Sequence, residues 1–236
     1  MHYFLDTTLT NNDTHTTYWL SEEESHHAKV LRLEANTAIK ILNGNGLVID
    51  AQLHEWDTKK KKVSVLLQHS TQSPALPDIT IGLATIKTSE RMEWLVEKIT
   101  ELGIRKIQLL QTERTERNFI RLEKLQKVAA AALKQSGNAW LPIISPSIDF
   151  SKLEIPATTS KLIGHCEDIA IPKTWIKTLA PAVSYYILIG PEGDFSPKEI
   201  KYAMEQGFEA IHLSHQRLRT ETAAITAAIQ LLDKFI

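Results

Sequence analysis

The sequence predicts an α/β protein in two parts, a small and mostly β module followed by a larger domain built on a parallel sheet. Three observations carry this expectation. Up to about residue 68 the apolar runs are short and strand-like, the segment "HSTQSPALPD" (69–78) concentrates chain breakers, and beyond Ile79 near-continuous apolar strands alternate with amphipathic helices. Strands buried on both faces lose the polar alternation of a half-exposed sheet, so this rhythm belongs to a parallel sheet covered on either side.

Taken in order, "HYFL" reads as a first strand and "SEEESHHAKVLRL" as a short helix whose acidic start suits the positive end of the helix dipole. "AIKILNGNGLVID" reads as a hairpin because Asn43 to Gly46 tolerate positive φ, and the strand "VSVLL" follows the lysine run Lys59, Lys60, Lys61 and Lys62. In the second part "ITIGLAT" is a strand. "SERMEWLVEKITELGI" then places Met92, Leu95, Val96, Ile99 and Leu102 on one helical face before Gly103 stops the helix. "IRKIQLL" is the next strand and "FIRLEKLQKVAAAALKQSG" a longer helix ending at Gly137. "SKLIGHC", "VSYYILIG" and "EAIHL" complete the strands, with helices starting at Ser196 and near Thr220. Trp94 and Trp140 are expected to pack in the core.

Apolar residues make up 43% and charged residues 23% of the 236, the balance of a globular chain. No window approaches the roughly 18 unbroken apolar residues of a membrane helix, and the start "MHYFLDTTLTNN" is too polar for a signal peptide, so a cytoplasmic protein is expected. The single cysteine, Cys166, excludes an internal disulfide and a thiolate-rich zinc site, and its default reading is a buried structural thiol. His26, His27, His54 and His69 lack a ligand spacing, so no metal is expected. A net charge of -1 gives no global attraction to a polyanion, and RNA would have to be met by a local patch of cations.

The stretch "LIGPEGDFSPKEI", Leu188 to Ile200, carries the most chemistry. Ser196, Pro197 and Glu199 form a helix start with a capping box, which fixes the geometry that follows the turn. Gly190 and Gly193 alone do no more than relieve that turn. Their position at the carboxyl end of a parallel strand, however, is where open α/β sheets hold their ligands. Dinucleotide and phosphate-loop patterns are absent, and Glu192 with Asp194 would repel a pyrophosphate. Such a loop suits a ligand that carries a cation, or a ribose and adenine. In "SHQRLRTETAAITAAIQLL" the residues Arg217, Arg219 and Glu221 are either a solvated cluster at a helix start or a second ligand loop.

These residues carry a resemblance to the ribosomal RNA small-subunit (16S) uridine-N3 methyltransferases, a family of the SPOUT class of knotted enzymes. "GPEGDFS", Gly190 to Ser196, resembles the family's Gly-Pro-Glu-Gly-Gly-Phe/Leu-Ser, with Asp194 in place of a glycine. "LSHQRLRTETA", Leu213 to Ala223, resembles its terminal motif, with Ser214 for glycine, Gln216 where arginine is usual and Arg217 one place later. "KTSERMEWLVEKITELGI", "TERTERNF", "AALKQSGNAWLP" (Asn138 for arginine) and "HHAKVLRLEANTAIKILNGNG" extend the similarity over nearly the whole chain.

The resemblance implies a PUA-like, RNA-binding β-barrel over residues 1–70 and an α/β methyltransferase domain over 71–236 with a parallel sheet and a deep trefoil knot. It implies a homodimer that binds S-adenosylmethionine (S-adenosyl-L-methionine) and methylates N3 of a uridine in 16S ribosomal RNA within the small subunit. Leu188, Ile189, Gly190, Glu192 and Gly193 would form one wall of the cofactor pocket, and Leu213, Ser214 and Leu218 the other. Gly164, His165 and Glu167 would supply a third side. Arg219 or Arg217 would donate to the uracil oxygens, and Glu221 would orient the arginine or take the proton. Arg32, Lys87, Arg91, Arg114 and Arg117 are the expected RNA contacts. The departures at Asp194, Ser214, Gln216 and Asn138 leave room for two other readings. One is a nonenzymatic RNA-binding or ribosome-assembly protein on the same fold, the other a methyltransferase for another RNA position.

Overall fold

The computed structural model describes residues 1–10, 16–116, 120–167 and 171–235, so Arg117 lies outside the described residues. The chain divides into two compact units. The first takes Met1–Ala75 together with Ala130–Leu141, and the second takes Leu76–Ala129 and Pro142–Ile236. Ala130–Leu141, within and just after a long helix, thus groups with the first unit although it is distant from it in sequence.

In the first unit β1 (His2–Leu5), β2 (Thr17–Trp19), β3 (Ala38–Leu42), β4 (Leu47–Asp57) and β5 (Lys62–Gln72) form one sheet in the order β1-β3-β4-β5-β2. The hairpin of β3 and β4 closes where Gly44 and Gly46 sit at φ 75° and 88°, values that any Cβ would strain. Phe4, Ile39, Ile41, Ile49, Leu53 and Val65 fill the core. Helix α1 (Glu22–Val30) is capped by Ser21, whose hydroxyl accepts from the Glu24 amide. The half-buried Trp140 packs against Gly46 and donates its indole N–H to the Pro74 carbonyl at 2.8 Å.

The second unit contains β6 (Asp78–Ala84), α2 (Ser89–Glu101), β7 (Lys106–Gln111) and the first half of α3 (Leu122–Ser136). It continues with β8 (Ile143–Asp149), β9 (Ser160–Gly164), β10 (Thr174–Trp175), β11 (Ser184–Ile189), α4 (Pro197–Glu205), β12 (Glu209–His212) and α5 (Thr220–Leu232). The strands form a parallel sheet in the order β10-β12-β9-β11-β6-β7-β8. From β6 the chain builds outward through β7 and β8, then crosses to the other side for β9. Alternate residues of β11 point to opposite faces: Tyr186 and Leu188 join Ile200 and Ala203 of α4 in one core layer, while Tyr185, Ile187 and Ile189 are buried on the other.

In α2 the residues Met92, Leu95, Val96 and Ile99 are buried as expected, and Gly103, at φ 83°, ends the turn that follows. Trp94 departs from expectation. It is 46% exposed, because it falls two positions from Met92 and so on the opposite side of the helix. No helix among the described residues is long and apolar enough to cross a membrane.

Candidate active site

The register of the sheet places three loops side by side. Ile189 pairs with Gly164, and Gly164 pairs with Ile211, so the carboxyl ends of β11, β9 and β12 lie in one row. The turns beyond them enclose a cleft of about 530 Å³. That volume lies within the roughly 300–1,000 Å³ of small-molecule sites.

The first turn follows β11. Its backbone doubles back at Asp194, whose amide donates to the Pro191 carbonyl at 3.0 Å and whose φ is 63°. A Cβ on Gly190 would come within 3.1 Å of the fully buried Phe195 ring, so glycine is what lets the turn close over that side chain. The Asp194 carboxylate accepts from the Phe195 amide at 2.7 Å and, across the cleft, from the Cys166 amide at 2.6 Å. Ser196 then caps α4 in the expected capping box with Glu199. Glu192 is exposed, accepts from the Lys87 amide at 3.2 Å and lies 3.7 Å from the Arg91 guanidinium.

The second turn follows β9. Gly164 abuts the Leu213 side chain, and His165 is buried with neither ring nitrogen in hydrogen-bond geometry with a described residue. Burial, and after it the Lys173 charge, holds the His165 pKa below the usual histidine value, against weaker opposition from Asp194 and Glu167. The ring is therefore neutral at neutral pH. Cys166 is exposed on the cleft wall and is not the buried thiol expected. Partial desolvation of its sulfur and then the Asp194 charge push the thiol pKa up, against the Arg217 and Lys173 charges.

The third turn follows β12 and leads to Arg219, the N-cap residue of α5. Leu213 is tied to α5 by Gln230, which donates to its carbonyl at 3.1 Å. Ser214 Oγ accepts from the Gln216 amide at 3.1 Å, so serine serves as the turn-former at this position. Arg217 and Arg219 stand exposed at the mouth of the cleft.

Of the predicted residues, Gly164, His165, Ile189, Gly190, Glu192, Leu213, Ser214, Arg217, Leu218 and Arg219 line the cleft. Four others are placed elsewhere. Leu188 is carried by the pleat into the core beneath α4, and Gly193 faces the Arg114 side chain. Glu167 accepts from Arg114 at 2.5 Å. Glu221 is buried with both oxygens held by Arg91, so neither Arg217 nor Arg219 is its partner.

The expected RNA contacts scatter. Arg91 lines the cleft, Lys87 is paired with Glu116 at 2.6 Å, and Arg114 is engaged by Glu167 and the turn after β11. Arg32 is exposed in the first unit at φ 53°. Asp194, read from the sequence as part of an acidic ligand loop, lines the cleft; Cys166 and His212 were missed as cleft residues, and only the register of β9, β11 and β12 brings them there. Among the described residues no group of three or more His, Cys, Asp or Glu could hold a metal ion.

A parallel sheet covered on both faces, with a cleft of apolar residues and charges of both signs at the carboxyl ends of three adjacent strands, defines an α/β protein with a small-molecule site there. The family models agree on a narrower class: the RNA methyltransferase domain matches residues 72–232 and the RNA methyltransferase PUA domain matches residues 20–66. The chain belongs to this RNA methyltransferase family, in the SPOUT-class group of small-subunit methyltransferase E proteins.

Among solved structures it is similar to a probable rRNA-methyltransferase from Porphyromonas gingivalis, with 31% identity, a TM-score of 0.88 and full coverage of both chains. It is also similar to the ribosomal RNA small subunit methyltransferase E of Neisseria gonorrhoeae, solved bound to S-adenosyl methionine. The identity is 26% and the TM-score 0.83, covering 99% of this chain and 97% of that one. The ribosomal RNA small subunit methyltransferase E of Synechocystis sp. is 29% identical over 223 residues, 91% of this chain and 72% of that protein.

Proposed function

We propose that the protein transfers the methyl group of S-adenosylmethionine to N3 of a uridine in the 16S ribosomal RNA of the small subunit. The observation that carries this reading is the row Ile189, Gly164 and Ile211, which gathers two glycine-bearing turns and the arginine-bearing turn around one cleft. The residues present fit the cofactor. Ile189, Ile211, Leu213 and Leu218 offer an apolar bed for adenine, the main chain at Gly164 and Gly190 offers edge partners, and Glu192 and Asp194 complement a positive sulfur. His165 presents ring nitrogens that still need a partner.

When bound, the cofactor supplies a methyl group already activated on a sulfonium. Uracil N3 must give up its proton for transfer, to Glu221 as the sequence expectation allows or to solvent water at the open cleft, and the resulting charge spreads onto the two flanking carbonyl oxygens. Arg217 and Arg219 are exposed and line the cleft, which supports their donating to those oxygens as the charge develops and so favouring the transition state over the ground state. On this reading Glu221, held on both oxygens by Arg91, fixes the start of α5 and through it Arg219.

The same reading makes the active form a cytoplasmic homodimer, with the carboxyl end of the chain threaded in a trefoil knot. It assigns residues 1–70 to RNA docking and residues 71–236 to transfer. The test is methyl transfer from labelled cofactor to assembled small subunits and to naked 16S RNA, followed by nucleoside analysis. N3-methyluridine from the small subunit is the expected product. Cofactor binding without product on any RNA would instead make the chain an RNA-binding protein.

A further inference from the structure

Beyond the last strand pair, Ile189 with Gly164, the turn Gly164–Glu167 and the turn Gly190–Phe195 are joined by side chains. Arg114, just beyond β7, donates from Nη1 to Glu167 Oε1 at 2.5 Å, to the Gly193 carbonyl at 2.7 Å and to the Phe195 carbonyl at 3.3 Å. Asp194 completes the junction from the other direction through the Cys166 amide. One guanidinium and one carboxylate therefore bond both turns, and neither turn can shift without breaking a charge-assisted hydrogen bond. Arg114 does not itself line the cleft.

We propose that Arg114 is a positioning residue for the cofactor, acting through Glu167 and the main chain of the Gly190–Phe195 turn to hold the two turns at their binding distance. The inference rests on the cofactor reading of the cleft. Its physical basis is preorganisation: turns ordered before the ligand arrives are not ordered at the ligand's expense, and the saving appears as affinity. All three acceptors meet one nitrogen, Nη1, which the rigid planar guanidinium holds in place, whereas a lysine ammonium on a flexible stem loses more freedom in reaching them. The positive charge faces Glu167, with Asp194 and Glu113 also near, so little of it is left for a phosphate.

Calorimetry with S-adenosylmethionine alone, RNA absent, tests this on the full chain. Arg114→Ala should raise Kd about tenfold, the size expected when a preordered turn must be ordered on binding. Arg114→Lys should recover only part of that loss. Glu167→Gln should weaken binding less, and the double variant should bind no worse than Arg114→Ala, since the two act as one unit. The salt dependence of binding to 16S RNA should keep its wild-type slope in Arg114→Ala.

An unchanged cofactor Kd together with a slope reduced by about one would make Arg114 a phosphate contact and overturn the proposal. Equal losses of cofactor and RNA affinity with a lowered melting temperature would overturn it as general destabilisation. Should Arg114→Ala fail to fold, Arg114→Lys and Glu167→Gln decide by the same criteria. Failure of the wild-type chain to bind the cofactor would remove the cofactor reading itself, an outcome distinct from wild-type binding that Arg114→Ala leaves untouched.

Discussion

Asp194 shows how one residue can depart from a family pattern and keep its geometry. At φ 63° the backbone is in the left-handed region that glycine favours, and aspartate is among the few other residues that enter it. Here its carboxylate offsets the strain with bonds to the Phe195 and Cys166 amides. Arg219 invites a sharper test. As an exposed donor at the cleft mouth, Arg219→Ala should cut methyl transfer by about a hundredfold, or ~3 kcal/mol, while cofactor affinity by calorimetry stays within a few-fold. Equal loss of cofactor affinity would make Arg219 a pocket wall. His165 has a pH signature. Because its folded pKa lies below the unfolded value of 6.5, its contribution is complete above 6.5 and is lost as pH falls towards the folded value. The Lys173 charge opposes protonation, while Asp194 and Glu167 only partly favour it. Urea midpoints at about pH 7.5 and about pH 5.5 should therefore fall further apart for wild type than for His165→Gln. Identical shifts in the two proteins would show that the buried imidazole is not the source.

The start of α4 is the element whose sequence was most legible, because every signal in it is local. Ser196 and Glu199 bond reciprocally, and Pro197 occupies a first-turn position that needs no amide. Glu199 has a second role that spacing could not reveal: Oε1 accepts from the Glu113 amide at 2.8 Å and joins the turn after β7 to this helix. Ser196→Ala should lower stability by about 1 kcal/mol. Glu199→Ala should cost more, since two main-chain amides lose an acceptor. Denaturant midpoints with unchanged slopes would bear this out; equal effects of the two substitutions would limit Glu199 to its capping role. The strands that escaped the sequence reading are all at sheet ends. β8 contains Pro146, which breaks the look of a strand but is tolerated at an edge, where its missing amide removes nothing from a central ladder. β2 and β10 have three and two residues, too few for any period to register. The arginine that Glu221 meets was hidden for a related reason. Arg91 lies 130 positions away, and only the packing of α2 on α5 makes the pair.

A chain of net charge -1 that binds RNA must do so with cations whose charge is locally uncompensated. The structure divides the candidates on that criterion. Lys87, Arg91 and Arg114 each lie within 2.6 Å of a carboxylate oxygen, on Glu116, Glu221 and Glu167 respectively, so a phosphate would have to displace a partner before gaining anything. Lys60 lies 4.0 Å from an Asp57 oxygen, whereas Arg32, Lys59 and Lys61 are exposed in the first unit with no ion pair among the described residues. A cation of this second kind releases counterions from RNA without first breaking a bond. Each phosphate so neutralised then adds a little under one to the slope of log affinity against log salt. Arg32→Ala and the pair Lys59→Ala/Lys61→Ala should therefore flatten the slope for 16S RNA by about one for each phosphate that is no longer neutralised. Lys87→Ala should leave it nearly unchanged, because the substitution also frees Glu116 to repel the RNA only weakly through solvent. Titrations of the four proteins between about 50 mM and 200 mM salt separate the two kinds of cation. A flatter slope for Lys87→Ala than for Arg32→Ala would mean that RNA exchanges these surface ion pairs freely, and that phosphate recognition is carried by the methyltransferase domain instead.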